Sequence, residues 1–336
     1  MIGESNDSHA AAISFSSIEA SRENKYAPLR VWFIEGKLVV TDYYNPELKA
    51  TSGLEIGDII THINGETVES IVEKQKTYYP ASNNAARLRN MSFDFLRSNN
   101  NSITIDYISP EKTGQTELHL YNKNSLNRYD WFKENSNEKC YKFLDGNIGY
   151  VTLGSIREED VPIIKSSFIN AKGIIIDIRN YPSALVIGEF CSFFVSNSTP
   201  FAKATYGNTD NPGEFIFESL ETISNSGVLY QGKVVVIVNE ITQSMAETTA
   251  MTLRIGLNTT IIGSATAGAN GAVATIMLPS GLQSSISGIG MYYPDGTQTQ
   301  RIGIIPDIWI EPTIQGIREG RDELLEKAIE LIKMGK

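Results

Sequence analysis

The residues best placed to do chemistry lie in the stretch VVVIVNEITQSMAETTAMTL. An apolar strand, Val234 to Val238, runs into a polar turn, and an apolar helix begins just after Ser244. This order puts a hydroxyl at a helix N-terminus, where unpaired backbone N–H groups and the helix dipole favour a developing anion. Acyl transfer needs such an arrangement: an exposed nucleophile whose next amide, here Met245 N–H, is directed at the oxyanion. The same residues also read as an ordinary helix start, with Ser244 as N-cap and Glu247 at N3 completing a capping box. Taken alone, the segment leaves both readings open.

Other chemistries have little to work with. The chain holds three histidines (His9, His62, His119) and two cysteines (Cys140, Cys191). These are too few and too scattered for a zinc site or a disulfide framework, so no metal is expected and the cysteines read as free, semi-buried thiols. The 39 acidic against 29 basic side chains give −10, which disfavours an extended phosphate-binding surface, so no nucleic-acid partner is expected. No apolar run approaches the roughly 18 residues of a membrane span. The opening MIGESNDSHAAAIS has neither a basic nor an apolar leader region, so no signal peptide is expected.

The elements that must position Ser244 fall into two groups, and 336 residues suffice for two compact domains. Residues 26–125 read as a small β-rich unit. Apolar residues flank a Glu35-Gly36 turn, Ile59, Thr61 and Ile63 share a strand face, and Asn64-Gly65 signals a hairpin. Lys74 to Arg89 reads as a polar insertion, Ser102 to Ile108 and Thr116 to Tyr121 as further strands, and Asn122 to Asn137 as a connector. From 126 to 336 the pattern changes. Short Val/Ile runs (Ile148 to Leu153, Gly173 to Ile178, Val234 to Val238, Thr260 to Ile262) alternate with helical stretches (Leu185 to Val195, Met245 to Ile255), which implies an α/β core whose strands are covered on both faces. A hairpin around Pro279-Ser280-Gly281 and a closing helix from about Asp322 complete the chain.

The order of motifs is specific. A strand leads into Asp177-Ile178-Arg179-Asn180, then come the strand–SxxE helix, the loop Gly263 to Gly271 (GSATAGANG), the hairpin and RIGIIPDI (Arg301 to Ile308). This series resembles the core of the C-terminal-processing (tail-specific) and tricorn-like serine peptidases, and GLEIGDIITHINGETV resembles the PDZ motif those proteins carry upstream. The resemblance implies an α/β, crotonase-like (spiral ββα) peptidase core preceded by a small PDZ-like domain, with Ser244 as nucleophile and protein or peptide as substrate. It implies an oxyanion hole from Met245 N–H and an amide of the Ser183-Ala184 loop, no metal or organic cofactor, and an extracytoplasmic, envelope-associated location. Homo-oligomer formation is left open. In the PDZ-like unit the peptide-carboxylate loop would fall at Ala27-Pro28-Leu29-Arg30, giving Leu29 and Arg30 as peptide contacts.

Three departures from the family pattern shape the expectation. The Ser–Lys branch places a lysine about 25 residues after the serine; here that position is Ala269, and no lysine occurs between Lys233 and Lys327. The tricorn-like branch uses a histidine ahead of the PDZ-like domain, in a motif resembling Asp-Gly-His. Asn6-Asp7-Ser8-His9 makes His9 the candidate base in a segment, residues 1–25, that needs tying down to serve. The carboxylate that would orient the histidine is replaced by Gln300, with Asp295 a poorer substitute. Third, Ser183-Ala184 stands where Gly-Gly is usual, so positive φ there would be costly. His62 and His119 read as strand-surface residues. The alternative reading is a catalytically weak or inactive relative that binds peptides or apolar ligands. A crotonase-type acyl-CoA enzyme shares the core but gives the PDZ-like unit and Ser244 no task.

Overall fold

The computed structural model describes residues 2–14, 25–127, 138–225, 227–278 and 282–335. The turn at Pro279-Ser280-Gly281 and most of the connector up to Asn137 lie outside the described residues. The chain opens with a short strand, β1 (Ala11–Ser14). The β-rich unit follows as β2 (Leu29–Ile34), β3 (Lys37–Tyr43), β4 (Ile59–Ile63), the helices α1 (Val68–Gln75) and α2 (Asn84–Ser92), then β5 (Ser102–Ile108) and β6 (Thr113–His119). The strands form one antiparallel sheet in the order β2-β3-β4-β5-β6. Its two tight turns have the positive φ that Glu35-Gly36 and Asn64-Gly65 were expected to supply. A core of Leu29, Val31, Leu38, Val40, Ile60, Ile105 and Leu118 fills one face of the sheet.

The polar stretch 74–89 is largely helical rather than an insertion. Thr67 and Asn83 cap α1 and α2 by accepting from Ser70 N–H and Ala86 N–H. Its polarity misleads because α2 carries Arg89, 3% exposed, into a junction with the larger unit.

That larger unit is built on β7 (Tyr141–Leu144), β8 (Ile148–Thr152), the helix α3 (Asp160–Phe168), β9 (Gly173–Asp177), β10 (Lys233–Val238), α4 (Met245–Arg254) and β11 (Thr259–Gly263). Then come the hairpin β12 (Val273–Met277) and β13 (Leu282–Ser287), β14 (Ile308–Trp309) and α5 (Glu323–Met334). The central sheet runs β7-β8-β9-β10-β11-β14, parallel except for the β7/β8 pair. Alternate residues of each strand face opposite ways. Ile174, Ile176, Val234, Val236 and Val238 pack with α3 and α4, while Ile175, Val235 and Ile237 pack on α5. The Val/Ile runs are continuous because both faces of this sheet are covered.

The stretch expected as a helix from Leu185 to Val195 is shorter: Ile187–Cys191 is α-helical and Ser192–Phe194 a 3₁₀ turn. A further strand, Thr199–Gly207, pairs with residues 215–217, 221–223 and 290–292 in a side sheet that the sequence pattern did not signal.

The motif after β9 is structural. Arg179 spans Asp177 (2.6 Å) and Asp322 at the N-cap of α5 (2.7 Å), and Tyr150 donates to Asp177 at 3.0 Å. The Asp177 side chain is only 4% exposed, so its charge depends on this pairing. Arg179→Ala should therefore lower stability by about 3 kcal/mol, the scale of an uncompensated buried charge. A urea midpoint unchanged in the variant would contradict that role.

Candidate active site

Ser244 follows β10 by a five-residue turn whose polar groups are tied down. Thr242 Oγ1 donates to the Ile178 carbonyl (2.7 Å), and Asn239 Oδ1 accepts from Ile241 N–H (3.0 Å). Ser244 itself adopts φ 58°, ψ −119°. That backbone is costly for any residue with a β-carbon, about 1–3 kcal/mol, and an ordinary N-cap has extended backbone instead. It is the geometry of a sharp strand-to-helix elbow that lifts a nucleophile clear of its neighbours. The hydroxyl is half-buried and its hydrogen-bond partner is the Gly271 carbonyl at 3.4 Å. Met245 N–H opens α4 and has no intrahelical acceptor.

The elbow is held by Glu247, which is 0% exposed. One carboxylate oxygen accepts from Thr266 Oγ1 (2.5 Å) and Gly268 N–H (2.8 Å); the other accepts from Ser244 N–H (3.0 Å) and Ala269 N–H (3.0 Å). Burial pushes the Glu247 carboxyl up, and these four donors work against that shift. Ala269, at the position of the missing lysine, is buried and contributes through its backbone: its carbonyl accepts from Ser244 N–H at 3.1 Å.

His9 comes from the other end of the chain. β1 pairs with β13, Ala11 opposite Ser285, and the side chain just before it is delivered to the end of that hairpin. His9 Nδ1 lies 3.0 Å from Ser287 Oγ, and its backbone N–H donates to Asp7 Oδ1 at 3.0 Å. Ser8 N–H donates to the Ser82 hydroxyl (2.9 Å) and Ser82 N–H to the Ser8 hydroxyl (2.8 Å), fastening the segment to the small unit. Burial lowers the imidazole pKa below its usual 6.5, with Asp7 opposing. Among the described residues no hydrogen bond joins His9 to Ser244.

The remaining candidates are distributed unevenly. Gln300 donates through Nε2 to Ser287 Oγ (3.0 Å), so its link to His9 runs through that serine, and its amide oxygen is buried without a partner. Asp295 is exposed and takes Thr297 N–H in a turn. Ser183 N–H is already given to the Leu153 carbonyl (3.0 Å), which leaves Ala184 N–H, without an acceptor among the described residues, as the second oxyanion candidate. Leu29 is 2% exposed inside the small unit's core and Arg30 lies over the Trp32 ring at 5.0 Å. Neither lines the open groove of that unit, a cavity of about 380 Å³ between α1 and residues 33–38 and 59–61; residues 29–30 open β2. His62 sits beside Asp106 (3.5 Å) and His119 against Tyr121 on the small sheet. The thiols of Cys140, pushed up to about 12, and Cys191, pushed higher still, are buried and unsuited to nucleophilic work. No cluster able to hold a metal ion occurs among the described residues, and none of their helices is long and apolar enough to cross a membrane.

Sequence reasoning did not reach two contributions. Trp32 Nε1 donates to Glu240 Oε1 (2.7 Å), and Arg89 donates to the Glu240 carbonyl (2.6 Å) and Gln243 Oε1 (2.9 Å). The small unit thus grips the turn that ends in Ser244. Asp7 and Ser287 are the other contribution; only the resemblance of Asp7-Ser8-His9 to Asp-Gly-His hinted at the first.

Because each Glu247 oxygen faces two donors, an amide at this position would set an NH₂ against N–H or O–H. Glu247→Gln should cost about 2–4 kcal/mol by stranding buried donors and should loosen the elbow. A thermal midpoint equal to the parent's would refute the assignment.

Residues 147–310 match the family model described as Peptidase family S41. No curated protein sequence matches the chain. Among solved structures, mature CPAF complexed with lactacystin is similar over 99% of this chain and 86% of its own, at 16% identity and a TM-score of 0.76. Mature CPAF gives 17% identity, 99% and 85% coverage and a TM-score of 0.77. A putative peptidase from Parabacteroides merdae shares 24% identity over 57% of this chain and 63% of its own, with a TM-score of 0.52. The serine elbow lies inside the span, residues 147–310, that is similar to peptidase family S41, a family of serine proteases.

Proposed function

We propose that this chain is a serine endopeptidase of the Ser–His, tricorn-like type, cleaving protein or peptide substrates without a metal or organic cofactor. Ser244 attacks the scissile carbonyl, and His9 takes its proton and returns it to the leaving amine. Met245 N–H and Ala184 N–H receive the oxyanion. The observation that carries this reading is the strained backbone of Ser244 at the first turn of α4. Glu247 also accepts from Ser244 N–H as in the capping box that the sequence offered, but a cap alone does not call for positive φ at Ser244. His9 supports the reading: a base must be neutral to act, and burial disfavours its charged form. Among the described residues no hydrogen bond joins Ser244 to His9, as suits an enzyme awaiting substrate, since such bonds tighten in the Michaelis complex.

The same proposal takes residues 1–25 as the histidine segment, 26–125 as a PDZ-like domain whose groove beside α1 receives an extended peptide, and 126–336 as a crotonase-like core. It places the protein outside the cytoplasm, as the resemblance implies. A second reading, a weakly active peptide binder, draws on Ala269 and Gln300 and on the Ser244 hydroxyl bonding Gly271 rather than His9.

A fluorophosphonate probe separates the two, because only an activated serine is labelled. Ser244→Ala should abolish labelling and any peptide cleavage while leaving the fold intact; labelling that survives would end the assignment. Labelling by the parent should rise with pH as His9 loses its proton. Because its pKa is lowered, the midpoint should fall below 6.5 and the rate should be flat through pH 7. A midpoint above 7 would point to a different base.

A further inference from the structure

Ser287 Oγ has one hydrogen and two acceptor lone pairs, and three groups surround it. Gln300 Nε2, at 3.0 Å, can only donate. The Asp7 carboxylate, at 2.8 Å from Oδ1, can only accept when ionised. The hydroxyl hydrogen therefore goes to Asp7, and the lone pair left over faces His9 Nδ1 at 3.0 Å. Nδ1 must then carry the imidazole hydrogen, so the lone pair of the neutral ring resides on Nε2. Asp7 cannot turn away, because it also accepts from Ser287 N–H (2.6 Å) and His9 N–H (3.0 Å).

We propose that Asp7, acting through the Ser287 hydroxyl, supplies the orientation and negative charge that His9 needs as a base, the task expected of Gln300. The proposal rests on the Ser244–His9 reading and deepens it. When Ser244 gives its proton to Nε2, the new imidazolium keeps its Nδ1 hydrogen and strengthens its bond to Ser287 Oγ, which Asp7 polarises. No proton travels beyond the ring. Gln300 fills the second lone pair of Ser287 and keeps that hydroxyl from turning toward another donor. Asp7 and Ser287 are positioning residues: neither touches the reacting atoms. Asp7 is the charged group acting on the His9 ring.

The test measures fluorophosphonate acylation of the full chain across pH for Asp7→Asn, Ser287→Ala, Ser287→Thr and the double variant, beside Ser244→Ala and His9→Ala. Asp7→Asn and Ser287→Ala should each slow acylation by about tenfold or more and move its midpoint further down in pH. The double variant should be no slower than the worse single one, and Ser287→Thr, which keeps the hydroxyl, should recover most of the rate. If Ser244→Ala and His9→Ala abolish labelling while Asp7→Asn keeps the parent's rate and midpoint, the relay is wrong and the Ser–His pair stands. If His9→Ala labels like the parent, the Ser–His reading fails, and the relay with it. Should the variants loosen the N-terminal segment, nitrogen NMR of the His9 ring in folded Ser244→Ala decides: a neutral ring protonated at Nδ1 is expected, and one protonated at Nε2 overturns the proposal.

Discussion

The buried carboxylate of Glu247 is the interaction on which the active centre depends. A charge with no exposed surface is tolerated only when its lone pairs are filled, and here four donors from two parts of the chain fill them. The consequence is mechanical. Ser244 N–H, Thr266, Gly268 and Ala269 converge on one point, so the elbow and the loop after β11 cannot move apart without exposing several unpaired groups at once. The strain at Ser244 is stored against that network. Thr266 extends it further, since its hydroxyl gives its hydrogen to Glu247 and accepts from Ile304 N–H at 2.7 Å. The RIGIIPDI segment is thereby linked to the same carboxylate.

His9 meets this centre through the longest-range contacts in the site. Closing a loop of some 280 residues costs chain entropy that grows only slowly with length, but the contacts that close it must be numerous. They are: β1 pairs with β13, the Ser8–Ser82 exchange fixes the segment from the opposite side, and Arg301 Nε donates to the Asn6 carbonyl at 3.3 Å. A residue near the start of the chain is thus held by bonds to the hairpin, to the small unit and to the loop before β14.

The small unit is more than an appendage to the larger one. Arg89 is buried and its guanidinium is pulled down to about 10 by that burial, yet it stays a cation at any working pH. Its bonds to the Glu240 carbonyl and Gln243, with the Trp32–Glu240 bond and the apolar contact of Trp32, Ile34 and Val39 with Ile241 and Ile314, tie the β2–β3 hairpin and α2 to the serine turn. A shift of α2 against the sheet would be felt at Glu240 and Gln243, within the turn that ends in Ser244.

His9 was paired with Ser244 only through the family resemblance, whereas the sequence by itself determined the central strands, the helix after Ser244, and the Glu35-Gly36 and Asn64-Gly65 turns. These rest on local rules: hydrophobic period, turn chemistry and motif order. It misread residues 74–89, because polar residues buried between units, Arg89 among them, look like solvent-facing ones. Only the tertiary structure decided the strain at Ser244, the loss of Ser183 N–H to Leu153, and the company Gln300 keeps. Those depend on which donors and acceptors meet across hundreds of residues. Ser287 shows why: nothing in its neighbours along the chain marks it, and only the pairing of β1 with β13 brings it to His9 and Asp7.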